Sequence, residues 1–223
     1  RLRLGWTYGD QIFNALHKDP AWPYPERALN QANDGHRAYF TQYVVSELGE
    51  RQDLLDKVLP KYPPFGKRML MDNGWYRMLR NPKVTLVDEP ITRITANGVA
   101  TADGSEYPAD VLVIATGFDV LRFLTAFEVH GRSGRSLREV WGDDDARAYL
   151  GAAMPDFPNF FCLYGPNLQA GHGGSLIFMI EMQMRYIMDA VTKMLDGGFG
   201  ALEIRQDVHD AYNEDVEREY QDM

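Results

Sequence analysis

The sequence predicts an α/β protein, and three observations carry that expectation. The run Val111, Leu112, Val113, Ile114 is bounded by Asp110 before it and by Ala115-Thr116-Gly117 after it. So short an apolar run, stopped by small residues, fits a parallel strand covered on both faces. A second such run, residues 160–164, leads through a Gly-rich loop into a helical pattern over residues 175–195. Between the two halves, short β segments alternate with the hairpin dipeptides Asn97-Gly98 and Asp103-Gly104.

Residues 1–60 read as helical and irregular. Trp22-Pro23-Tyr24-Pro25 is a proline-stiffened loop that cannot continue a helix. From His36, the residues Tyr39, Phe40, Tyr43, Val44 and Leu48 recur at helical spacing, up to Gly49. Leu54, Leu55, Val58 and Leu59 predict a short helix stopped by Pro60. Asp72 is placed to cap a helix carrying Trp75, Tyr76, Met78 and Leu79. Strands are expected at 84–87, 91–95 and 99–101, forming a small β meander. The apolar run at 111–114 follows. In the last third, Leu176, Ile180, Met184, Ile187, Val191 and Met194 form the expected core stripe of the long helix, which Gly197-Gly198 ends. A strand at 201–204 and an acidic helix from about Asp207 close the chain.

Composition narrows the function classes. An apolar fraction of 45% over 223 residues is that of a globular protein. The net charge of -9 argues against nucleic acid as the main partner, because phosphate binding needs a basic surface. A single cysteine, Cys162, forbids an internal disulfide and points to a reducing, cytoplasmic compartment. Cys162 lies in an apolar run and reads as a small buried hydrophobe. No apolar run approaches the ~20 residues that span a bilayer. The sequence shows no metal-ligand cluster and says nothing of oligomeric state.

The loop Gly165-Pro166-Asn167-Leu168-Gln169-Ala170-Gly171-His172-Gly173-Gly174 carries the chemistry. Glycines let backbone approach a ligand, and the following helix N-terminus offers free N–H groups to an anionic group. A tight connection within any α/β domain is an equally good account of the spacing. A dinucleotide-binding protein also needs the fingerprint G-x-G-x-x-G. The chain has none, since Gly131-Arg132-Ser133-Gly134 and Gly171-His172-Gly173-Gly174 have the wrong spacing. It begins at Arg1. The expectation is a C-terminal part of a larger enzyme whose pyrophosphate sites lie upstream.

Gly66-Lys67-Arg68, then DNGWY (72–76), VTLV, GVATADG, ATGF, FPNFFCLYGPN (157–167) and GHGGSLIF (171–178) follow one another in order. In that order the chain resembles the Baeyer–Villiger monooxygenases, flavoproteins of the 4-hydroxyacetophenone monooxygenase type in particular. The resemblance covers essentially the whole chain. It implies the C-terminal portion of a two-dinucleotide-binding-domain flavoprotein, with a helical N-terminal segment and a small β meander. Residues 1–65 correspond to a helical insertion of the NADP domain, 66–115 to the C-terminal segment of that domain, and 116–223 to the C-terminal segment of the FAD domain. The implied cofactors are FAD and NADP. The implied reaction converts a ketone, an aryl ketone for this subgroup, to an ester with O2 through a flavin peroxide.

The resemblance makes Arg68 the catalytic residue, facing flavin and nicotinamide. A guanidinium stays charged near neutral pH and suits an oxyanion. Without the resemblance, Arg68 reads as a solvated charge after a proline loop. Lys67, Thr116, Gly117, Gly165, Pro166, Asn167, Gly173 and Gly174 become candidate cofactor contacts, and Gln169 and His172 candidate pocket residues. Asn167 could equally cap its own loop. Asp110 is expected to tether backbone at the domain crossover. Met179, Met182, Met184 and Met188 are expected in the core or pocket. Other readings are a flavin monooxygenase acting on nitrogen or sulfur, and a non-catalytic fragment. His172-Gly173-Gly174 is also similar to an esterase oxyanion loop, but no serine stands in the required G-x-S-x-G elbow.

Overall fold

The structure, a computed structural model, describes residues 15–120, 122–168 and 175–222. They form two compact units. One takes the described residues up to Asp34, then Pro63–Met69 and the chain from Asp119 onward; the other takes Gly35–Tyr62 and Leu70–Phe118.

The second unit is built on the helix α1, Gln31–Leu48, from Gly35 onward. Val44 and Leu48 pack with Leu54, from the turn Gln52–Leu54, and with Leu79. Leu55 and Val58 of α2, Leu55–Val58, flank that core. Leu59 turns extended (φ -79, ψ 124), as the residue before a proline must, and α2 stops. The expected apolar stripe of α1 is only half buried. Tyr39 is 67% exposed, and Tyr43, exposed as well, donates its hydroxyl to Asp72 at 2.7 Å. Asp72 Oδ1 also accepts the N–H groups of Gly74 and Trp75, at 2.8 and 2.6 Å, and so starts α3, Trp75–Met78. Arg77 on α3 forms a two-bond pair with Glu47 on α1.

The meander follows: β1 (Ile91–Ile94), β2 (Gly98–Thr101) and β3 (Glu106–Pro108), antiparallel and in that order. Gly98 is required by the close approach of β3, since a Cβ there would lie 2.0 Å from the Tyr107 carbonyl oxygen. The turn into β3 is organised by Asp103, which accepts from Thr101 Oγ1, Ser105 N and Ser105 Oγ. The sequence pattern does not announce β3, whose residues Glu-Tyr-Pro lack apolar alternation. Residues 84–87 are not a strand. Val84 and Leu86 instead lay their side chains against the helical core.

The run at 111–114 departs most from expectation. It forms no strand and is exposed, Val113 by 85% and Phe118 by 94%. A parallel strand is made by its neighbours, and among the described residues no strand pairs with this one. Asp110 is exposed as well and tethers nothing among the described residues.

The first unit packs around Trp141. This residue closes the short helix α4, Leu137–Trp141, whose start is a capping box: Ser136 accepts from Glu139 N, and Glu139 accepts from Ser136 N. Trp141 donates its indole N–H to the Arg147 carbonyl at 2.8 Å. Leu137, Ala148, Met154, Phe157 and Cys162 complete the core. Burial pushes the Cys162 thiol up to about 11, so it stays an inert thiol.

Residues 160–164 are not a strand either. Asn159 (φ 59) and Tyr164 (φ 52) adopt left-handed conformations at either end, which breaks the pleat. The expected strand at 201–204 is likewise missing. Leu202 pairs with Asn159 through one backbone and one side-chain bond, each 3.0 Å, so a side chain stands where a ladder partner would continue. Two helices end the unit: α5 (Leu176–Asp196) and α6 (Gln206–Gln221). Ser175 caps α5 by accepting from Phe178 N. The buried stripe of α5 is Gln183, Ile187 and Ala190. Leu176 and Met184, expected in the core, are exposed, as are Met182 and Met188.

Candidate functional site

The described start of the Gly-rich loop, residues 165–168, is seated by close contact before any hydrogen bond is counted. Gly165 lies flat against the turn at Gly151: a Cβ on Gly165 would be 2.1 Å from the Gly151 carbonyl oxygen and 2.9 Å from Cys162 Cβ. The fit is reciprocal. Gly151 has φ +61, and a Cβ there would meet Leu168 at 2.6 Å and the Pro166 carbonyl at 2.9 Å. Gly165 and Pro166 are therefore buried supports of the loop, while Asn167 (φ 63) stands exposed beyond them.

Gln183 of α5 locks this seam from below. Its Oε1 accepts the Tyr164 N–H at 2.6 Å, and its Nε2 donates to the carbonyls of Leu150 and Gly151, both at 3.1 Å. Two carbonyls and one N–H fix which end of the amide points where. The sequence reading missed this residue. Its signal was a lone amide placed four residues before Ile187 and seven before Ala190, on what is the helix's buried face.

The remaining candidates are dispersed. Lys67 and Arg68 are exposed in the first unit, after a turn closed by Gly66 N donating to the Pro63 carbonyl. Arg68 has no carboxylate partner among the described residues. Thr116 and Gly117 are exposed in the second unit. Gly117 has φ +83 and open space where a Cβ would stand. Gln169, His172, Gly173 and Gly174 lie outside the described residues.

Within the first unit, Lys67 and Arg68 are adjacent accessible cations, a donor pair of the kind an anionic, phosphate-bearing cofactor engages. Among the described residues no three His, Cys, Asp or Glu side chains cluster as a metal site. No helix of the described residues is long and apolar enough to cross a membrane.

Comparison with known proteins gives the class. The uncharacterized monooxygenase y4iD of Sinorhizobium fredii is 48% identical over 223 residues, all of this chain and 34% of that protein. A Baeyer-Villiger monooxygenase of Pseudomonas aeruginosa is 36% identical over 166 residues, 74% of this chain and 31% of its own. Among solved structures, the open form of cyclohexanone monooxygenase superposes with a TM-score of 0.70 at 32% identity, covering 89% of this chain and 37% of that one. OTEMO, solved in complex with FAD and NADP, superposes with a TM-score of 0.78 at 27% identity, over 87% and 36%. No family model matches. The chain spans about a third of the length of the curated relatives it matches.

The chain is therefore homologous to a segment of larger monooxygenases, among them proteins named Baeyer-Villiger and FAD-binding monooxygenases.

Proposed function

We propose that this chain serves as a segment of a Baeyer–Villiger-type monooxygenase that uses FAD and NADPH to convert ketones, aryl ketones in particular, to esters. One atom of O2 enters between the carbonyl carbon and its neighbour, the other leaves as water, and NADPH supplies two electrons. FAD, when bound, supplies the activation of oxygen. Residues 1–65 and 66–115 are read as parts of the NADP-binding domain and residues 116–223 as part of the FAD-binding domain.

The observation that carries the reading is Arg68: a permanent cation, exposed, next to Lys67, with no carboxylate among the described residues to neutralise it. In this role its guanidinium binds the oxyanion that develops at the ketone carbon, and charge there is worth most where water is excluded. Lys67 meets phosphate or ribose. Thr116 and Gly117 offer backbone to a cofactor, and Asn167 offers its amide to the flavin edge. Gly173, Gly174, Gln169 and His172 retain their proposed places beside cofactor and substrate.

The test is Arg68→Ala in the full-length protein. Flavin reduction by NADPH is expected to persist, because hydride transfer depends on orientation. Ketone oxygenation is expected to fall by about 10²–10³-fold, the usual loss for one oxyanion donor. Ester formation at the wild-type rate would remove Arg68 from the site. Oxygenation of an amine or sulfide in place of a ketone would favour the nitrogen- or sulfur-oxygenating reading.

A further inference from the structure

We propose that Gln183 is a positioning residue: it sets loop 164–168, and through that loop the Asn167 amide, for the flavin. The inference rests on the reading of this loop as a cofactor contact. A glutamine on the buried face of an apolar helix is costly unless its amide is satisfied, and here the residue is 6% exposed. Its three bonds all go to main chain, and they join two separate turns. Two of the groups it holds belong to Tyr164 (φ 52) and Leu150 (φ 51), bulky residues in a conformation that persists only when its surroundings impose it.

Beside these bonds, one backbone bond, Cys162 N–H to the Ala152 carbonyl at 2.8 Å, joins the stretches of chain next to the two turns, and the remaining forces at the seam are contacts. The Gly165–Gly151 approach fixes the separation of the two turns. It does not fix their sliding, because flat backbone contact has no preferred register. Directional bonds supply the register: the Cys162–Ala152 bond sets it before the loop, and at the loop itself the bonds of Gln183 reach both sides from one amide. Asn167 is three residues beyond Tyr164, with the buried Gly165 and Pro166 between them. A shift at Tyr164 is therefore carried to Asn167 by a segment that has little room to absorb it. Asn167 itself is exposed, and among the described residues its amide has no partner. It is presented rather than used in the seam.

The experiment is a double-mutant cycle in the full-length protein, with Asn167→Ala, Gln183→Leu and their combination. FAD affinity is read by fluorescence titration at a temperature where each variant is folded, and exchange of the Tyr164 amide proton is read without cofactor. Gln183→Leu is expected to speed Tyr164 exchange and to weaken FAD by about tenfold. The double variant is expected to bind no more weakly than Asn167→Ala alone, because both changes act through one amide. Gln183→Glu covers the case where the leucine variant does not fold. Its carboxyl, wedged between two carbonyls, can donate only when protonated. FAD affinity in that variant is expected to recover as pH falls toward about 6, with no such recovery in the parent. If Asn167→Ala leaves FAD binding unchanged, the cofactor reading of the loop fails, and this role with it. If Asn167→Ala weakens FAD while Gln183→Leu does not, or the two losses multiply, the positioning role alone is overturned.

Discussion

Tyr43 and Asp72 show how one side-chain contact organises a helix start. Asp72 takes a phenol and two backbone N–H groups, and these hold its carboxyl below the usual range, the phenol contributing most. The same bond pushes the Tyr43 phenol up to about 12. The signs are opposite. Asp72 is depressed in the folded state, so its contribution is present above the ordinary carboxyl value and fades as pH falls through the folded one. Tyr43 is raised, so its contribution is present below about pH 10 and lost as pH rises through about 12. Asp72→Asn is therefore expected to return the Tyr43 titration toward that of free tyrosine and to flatten the acid limb of stability. Site-resolved NMR titration reads the first, and urea melts across pH read the second. A Tyr43 phenol that still titrates late in Asp72→Asn would assign the shift to another neighbour. Leu79 gives a second check at this scale. It is 2% exposed at the centre of the second unit's small core, so Leu79→Ala is expected to cost about 2–5 kcal/mol by denaturant unfolding.

Elements whose instructions are local were legible; elements made by neighbours were not. α5 was readable because its cap Ser175 and its ending Gly197-Gly198 lie within its own sequence. α2 was readable because Pro60 acts on the residue before it. α4 carried an equally local signal, Ser136-x-x-Glu139, which the sequence reading passed over. The run at 111–114 has the composition of a buried strand, yet a strand needs partners, and the described residues supply none. At 160–164 two left-handed residues override an apolar pattern; Asn159 is of a type that adopts that region readily, whereas nothing in Tyr164 as a residue type announces it. Gln183 was hidden for a related reason: an amide among methionines reads as a solvent-facing residue until its three main-chain partners are seen. Of the proposed site, the loop conformation of residues 165–167 was legible, and the amide that supports it was not. Two predictions belong here. Ser136→Ala is expected to cost about 1 kcal/mol, read by thermal melting, since it opens one end of a short helix that seats Trp141. Gly98→Ala is expected to separate β2 from β3, because its Cβ would fall on the Tyr107 carbonyl. Loss of amide protection confined to the meander would confirm it, and unchanged protection would refute it.

At the scale of the molecule, the most exposed apolar residues of the second unit fall in two stretches of sequence: Leu70-Met71, and Val111, Val113, Ile114 and Phe118. An exposed apolar stretch of this kind binds hydrophobic dyes. The isolated 223-residue chain is expected to enhance anilinonaphthalene sulfonate fluorescence, and Val111→Lys with Val113→Lys to reduce that signal. An unchanged signal would place the sticky surface elsewhere. The partition of the chain has a consequence in time as well. The last residue of the second unit is Phe118, whereas the first draws its core residues Leu137, Trp141, Met154 and Phe157 from beyond that point. A ribosome delivers the chain from its N-terminus, so the nested unit is fully synthesised while the unit that encloses it in sequence still lacks its centre. Residues 15–34 and 63–69 thus leave the ribosome before the core partners of their unit have been made.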